Sequence, residues 1–167
     1  MEMQVHTIAP VYDGSSRVLL LGSFPSPKSR EMAFFYGHPQ NRMWKVLARV
    51  ACEPTVPQTV AERKAFLLRN HIAMWDVLAS CSIEGASDSS IRNCSPNDLS
   101  CIFETARIEK VFLTGSKAYD LFKRYLLSQY DCDCMRLPST SAANAAMSLD
   151  DLTAAYSVLS PYMKALG

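Results

Sequence analysis

The residues best suited to chemistry lie in two stretches. Residues 22–44, GSFPSPKSREMAFFYGHPQNRMW, set Phe24, Phe34, Phe35 and Tyr36 among Pro25, Pro27, Gly37 and Pro39. Aromatic rings in an irregular, proline-stiffened loop offer a stacking surface for a planar ligand, or else merely cover the edge of a sheet. His38, Gln40 and Asn41 follow, where the loop enters a helix. The Asn41 amide has a donor and an acceptor, so it suits holding a water or contacting a base or sugar. His38 could serve as an acid or base, or be purely structural. Arg42, Lys45 and Arg49 fall at i, i+3 and i+7 of that helix, a basic stripe suited to phosphates or a plain solvated face. The second stretch, LPSTSAANA at 137–145, is small, hydroxyl-rich and stiffened by Pro138. Its Ser139, Thr140 and Ser141 can present hydroxyls and backbone N–H groups to phosphates, or simply make a turn.

These stretches need elements to hold them. Residues 17–22, RVLLLG, form a short continuous apolar run that reads as a strand buried on both faces. Residues 40–51 carry Met43, Trp44, Val46, Leu47 and Val50 at helical spacing. A second helix spans 59–70, opened by a capping box from Thr59 and Glu62. Strands follow at 72–75, 110–114 and 132–137, with a helix at 116–127 and a last helix from Ser148, capped through Asp151, to about Met163. Residues 78–95 are serine-rich and read as a long loop, after which Ser95, Pro96 and Asp98 would occupy the N-cap, N1 and N3 positions of a further helix. Strands alternating with helices argue for an α/β fold with a parallel sheet covered on both faces. Ligands in such folds bind beyond the carboxyl ends of the strands. Those ends are 22–26, Asp76, 114–116 and 138–141.

Composition narrows the class without choosing a ligand. The 167 residues suit one compact domain, 1–167, with 49% hydrophobic and 20% charged residues. A net charge of +1 gives no bulk attraction to nucleic acid, so only local clusters bear on it. No apolar run approaches the ~20 residues of a membrane span, and the first residues are too polar for a signal peptide. A cytoplasmic location is expected. The six cysteines contain no CxxC pair and no zinc-like spacing, so reduced, largely buried thiols are expected and no metal. Cys132 and Cys134 should share one face of their strand.

Taken together, GSFPS (22–26), FFYGHPQNRMW (34–44), MWDVLASC (74–81), LTGSKA (113–118) and LPSTSAANA (137–145) resemble the hypoxanthine-DNA glycosylase branch of the uracil-DNA glycosylase superfamily. The resemblance implies a three-layer α/β/α sandwich around a four-stranded parallel sheet. In the wider superfamily the loop after the first strand supplies an Asp or Asn that positions the attacking water; here that position is Phe24. The last-strand motif often starts with a His that stabilises the departing base; here it is Leu137. In the hypoxanthine branch a downstream Asn takes over, and Asn41 matches it. Ala142 stands where a Pro is expected.

The resemblance further implies that Asp76 reads the base edge and that Phe24 and Tyr36 stack on a flipped base. Capping a nearby turn is the other use for Asp76. A carboxylate accepts from hypoxanthine N1–H and repels the adenine N1 lone pair. Ser23, Ser26, Arg42, Ser139, Thr140 and Ser141 are then expected against the DNA. No Lys stands as an amine nucleophile, so the enzyme should be monofunctional, without cofactor, and act as a monomer on DNA carrying deaminated bases. A uracil-DNA glycosylase and a catalytically silent DNA- or nucleotide-binding domain of the same fold are the competing readings.

Overall fold

The computed structural model describes residues 3–163. Four parallel strands form its centre: β2 (Val18–Gly22), β3 (Ile72–Asp76), β6 (Lys110–Thr114) and β7 (Asp133–Leu137), in the order β3-β2-β6-β7. This is the expected four-stranded sheet, and every residue of β2 is buried.

Because successive strand residues face opposite ways, the sheet divides its side chains between two cores. Val18, Leu20, Ile72, Met74 and Phe112 face one layer, built from α2 (Met43–Val50), α3 (Val60–Arg69) and α6 (Leu149–Tyr156). Leu19, Leu21, Ala73, Val111 and Leu113 face the other, covered by α4 (Ser100–Thr105) and α5 (Ser116–Tyr125). Cys132 and Cys134 pack on this second side together, as their spacing predicts. The Thr59/Glu62 and Ser148/Asp151 capping boxes are both formed.

Four expectations need correction. Residues 78–95 are not a loop throughout: β4 (Leu78–Ser82) and β5 (Arg92–Pro96) pair antiparallel, and β1 (Met3–Val5) adds to β4, making a second three-stranded sheet. Their polar residues and shifted register give no apolar alternation to read. Consequently the helix expected from Ser95 starts later, at Ser100, because Ser95 and Pro96 are still paired to β4. The loop 22–44 contains a one-and-a-half-turn helix, α1 (Pro27–Met32), capped by Ser26 with Pro27 at its first turn. The last helix breaks after Tyr156 into a 3₁₀ turn before α7 (Ser160–Met163). Among the described residues no helix is long and apolar enough to cross a membrane.

Candidate active site

A cavity of about 560 Å³ opens at the carboxyl ends of β2, β3 and β6. Gly22 and Asp76 are paired in register at its floor. A methyl group on Gly22 would lie 2.8 Å from Asp76 Oδ1 and 3.1 Å from the Tyr36 hydroxyl, so only glycine leaves room for both. Asp76 is 4% exposed, and its Oδ2 is buried without a hydrogen-bond partner among the described residues. The carboxyl therefore caps no turn. The buried Asn97 instead holds the backbone here, donating Nδ2–H to the Asp76 carbonyl (2.9 Å). Burial, reinforced by the neighbouring charge of Asp88, pushes the Asp76 pKa up to about 8. Near neutral pH it is mostly the neutral acid, not the fixed carboxylate the sequence suggests.

Two rings wall this floor. Tyr36 adopts a left-handed backbone (φ 50°), and its hydroxyl hydrogen-bonds with Thr114 Oγ1 (3.1 Å). Burial holds it as a neutral phenol, reinforced by the Asp76 carboxylate once that ionises at higher pH. Phe24 is 8% exposed and is met edge-on by His6, at 5.2 Å between centroids. His6 donates Nε2–H to the Leu78 carbonyl (2.8 Å), and that nitrogen lies 4.0 Å from Asp76 Oδ2. Desolvation lowers its pKa, so it stays neutral behind the pocket.

One lip of the cavity joins the two stretches that carry the motifs. Asn41 Oδ1 accepts from Met43 N–H (2.9 Å) and from Thr140 Oγ1–H (2.8 Å). The backbone donor fixes the amide orientation, so Nδ2 is left facing the cavity as a pure donor. Thr140 is 1% exposed, and its carbonyl also accepts from Arg42 N–H (3.0 Å). The Arg42 guanidinium donates to the carbonyls of Ser141, Asn144 and Met147. It ties the 137–147 loop to α2 rather than standing free for a phosphate. Tyr156 donates to the Pro138 carbonyl (2.6 Å) beneath the same loop. Ser139 and Ser141 line the cavity, each accepting a backbone N–H two residues on.

The other lip is the turn joining β4 to β5. It carries Asp88, whose Oδ1 accepts from the buried Ser23 hydroxyl (2.9 Å). Ser23 and Ser26 are thereby both engaged, Ser26 as the cap of α1. His38 lies at the rim and accepts Gln40 N–H on Nδ1 (3.1 Å). Lys45 and Arg49 lie outside the cavity, and Arg49 pairs with Asp150 (2.7 Å).

Asn41, Phe24, Tyr36, Asp76, Ser139 and Ser141 thus converge on one cavity, while Thr140 and Arg42 stand behind it. Sequence reasoning did not find His6, Asn97, Thr114 or Asp88. Of these only Thr114 was signalled, by lying at a strand's carboxyl end. Among the described residues no group of three or more His, Cys, Asp or Glu assembles a metal site.

Comparison with known proteins accords with this geometry. The family model of the uracil DNA glycosylase superfamily matches residues 9–160. A protein named hypoxanthine DNA glycosylase from Methanosarcina acetivorans is 31% identical over 139 residues, 83% of this chain and 87% of that protein. A protein of the same name from Methanosarcina barkeri is 31% identical over 117 residues, covering 70% and 74%. A solution NMR structure from Methanosarcina acetivorans, described as a candidate uracil DNA glycosylase, superimposes with a TM-score of 0.78 at 28% identity, covering 95% of this chain and 99% of that one.

Proposed function

This chain belongs to the uracil DNA glycosylase superfamily and is a DNA glycosylase; we propose that its chief target is hypoxanthine, flipped from DNA and released hydrolytically without strand cleavage. The base must leave the stack because its glycosidic bond is unreachable inside a duplex. Bond breaking passes through an oxocarbenium-like state. The observation that carries the reading is Asp76, a carboxyl with no hydrogen bond from the described residues, at the floor of a cavity walled by Phe24 and Tyr36 and roomy enough to admit a flipped base. A buried polar group without a partner is costly, and the N1–H edge of hypoxanthine supplies one.

In this reading Asn41 acts at the sugar end, its Nδ2–H holding a water or a sugar oxygen, a role supported by its fixed amide at the cavity lip. Leu137 gives no hydrogen bond to the departing base. A purine tolerates that loss better than uracil does, because its ring offers further atoms that can be hydrogen-bonded as it leaves. In this reading Thr140 positions Asn41, Arg42 braces the DNA-facing loop, and Ser139 and Ser141 meet the backbone.

The test uses duplexes with one deoxyinosine or one deoxyuridine, treated with hot alkali after incubation with wild type or Asn41→Ala. Breaks at deoxyinosine that need both alkali and Asn41 are expected. Breaks mainly at deoxyuridine would move the target to uracil, and breaks without alkali would overturn the monofunctional assignment.

A further inference from the structure

With Phe24 in place of a water-activating side chain, the hydrolysis needs a proton acceptor, and the hydrogen bonds of the cavity narrow the choice. Asn41 turns only N–H toward the cavity, because its Oδ1 is occupied twice. His38 commits its Nδ1 lone pair to Gln40 N–H, which puts its proton on Nε2 and makes it a donor as well. Tyr36 is a neutral phenol bonded to Thr114. Asp76 lies at the floor, where the reading above gives it the base edge and so leaves it unavailable to the water at the sugar. Of the titratable residues lining the cavity, Asp88 remains.

We infer that Asp88 is the carboxylate that takes the proton from the attacking water, while Asn41 holds that water from the opposite lip. This rests on the glycosylase reading above. Asp88 is presented at the rim by a short braced turn. Ser87 N–H donates to the Glu84 carbonyl, Glu84 N–H to Ser90 Oγ (2.8 Å) and Ser90 Oγ to the Ser87 carbonyl (2.7 Å). Buried Ile83 and Ile91 anchor the two ends of that turn. The Ser23 hydroxyl fixes one carboxyl oxygen, and Oδ2 has no partner among the described residues. Such preorganisation is what a general base requires. The titratable groups that act with it are Asp76 at the floor, mostly protonated near neutral pH, the neutral phenol of Tyr36, the buried Cys81 thiol, and the Lys117 cation from α5, which draws its pKa down. Although the residue is exposed, its carboxyl is partly desolvated, which raises its pKa and strengthens it as a base.

The step balances without any further reagent. The bond from C1′ to N9 breaks with its electron pair leaving on the purine. Water oxygen bonds to C1′, and one water proton passes to Asp88. Asp88 then returns that proton to solvent, and the purine anion takes one up, so the sum is addition of one water across the glycosidic bond.

Single-turnover excision from a deoxyinosine duplex by wild type and Asp88→Asn tests this. Asparagine preserves the bond from Ser23, and a thermal melt checks that the variant folds. A rate lower by about 10²-fold is expected at unchanged DNA affinity, with loss of the rise in rate as pH increases through the Asp88 ionisation. A rate within about threefold of wild type, or a loss confined to DNA binding, would overturn the role. If wild type releases uracil and not hypoxanthine, the base assignment fails alone, and the same comparison on deoxyuridine still decides Asp88, because the water step is common to both bases.

Discussion

The two lips of the cavity are built by opposite means. The lip carrying Asn41 is a lattice of long-range hydrogen bonds, in which Thr140, 99 residues away in the chain, fixes the amide and Arg42 gathers three carbonyls of the last loop. The lip carrying Asp88 is a local turn that braces itself within residues 84–90 and touches the rest of the site chiefly through Ser23. From the first lip Asn41 turns a donor toward the cavity, and from the second Asp88 turns an acceptor. A water between them would be held by one and deprotonated by the other, so neither lip should substitute for its partner.

The largest effect should come from the first lip. Asn41→Ala removes a donor aimed at the reacting end of the site and should lower single-turnover excision by about 10²–10³-fold. Asn41→Asp should do no better, because it replaces the donor with a second acceptor. Recovery of activity in Asn41→Asp would mean that Asn41 works through its oxygen, and the donor–acceptor division between the lips would fall. Next in size is Thr140→Val, which keeps the buried shape but frees Asn41 Oδ1 from one of its two bonds. A loss of about fivefold is expected, restored by Thr140→Ser, since a net hydrogen bond contributes about 1 kcal/mol. If serine fails to restore the rate, Thr140 acts by packing alone. Smaller still is Ser23→Ala. The turn around Asp88 braces itself, so a loss of only about threefold is expected, and excision assays at saturating enzyme would read it.

The two lips also differ in how plainly the sequence announced them. Asn41 and the Ser139–Ser141 run sit in contiguous motifs with a distinct composition, so type and spacing alone brought them forward. The central strands were equally legible, because burial on both faces leaves unbroken apolar runs such as VLLLG. Asp88 was hidden in a serine-rich stretch whose flanking strands, the small-residue β4 and the polar β5, are shifted in register and show no apolar alternation. Such strands owe their place to pairing, β5 with β4 and β4 with β1, which no local pattern encodes. His6 was hidden for a related reason: it reaches Leu78 across 72 residues. Ser26 followed by Pro27 was a readable start signal for α1, masked by the surrounding prolines and aromatics.

Asp76 belongs to neither lip, and its protonation sets the smallest and most gradual effect. With a folded pKa of about 8 against an unfolded value near 3.8, the folded protein holds a proton that the unfolded chain has released. Stability therefore falls as pH rises between those values and levels off above about 8. The difference in Tm between Asp76→Asn and wild type should grow over that window, which removes the contributions of groups shared by both proteins, His6 excepted because it lies beside Asp76. The same titration bears on selectivity. The neutral acid can donate its O–H to adenine N1 as readily as it can accept from hypoxanthine N1–H, whereas the carboxylate can only accept. The ratio of excision at deoxyinosine to excision at deoxyadenosine should therefore rise from pH 6 to pH 9 in wild type and stay flat in Asp76→Asn. A ratio independent of pH in wild type would place discrimination in the shape of the Phe24 and Tyr36 walls instead. Asp76 would then serve to hold the floor open beside Gly22 rather than to read the base.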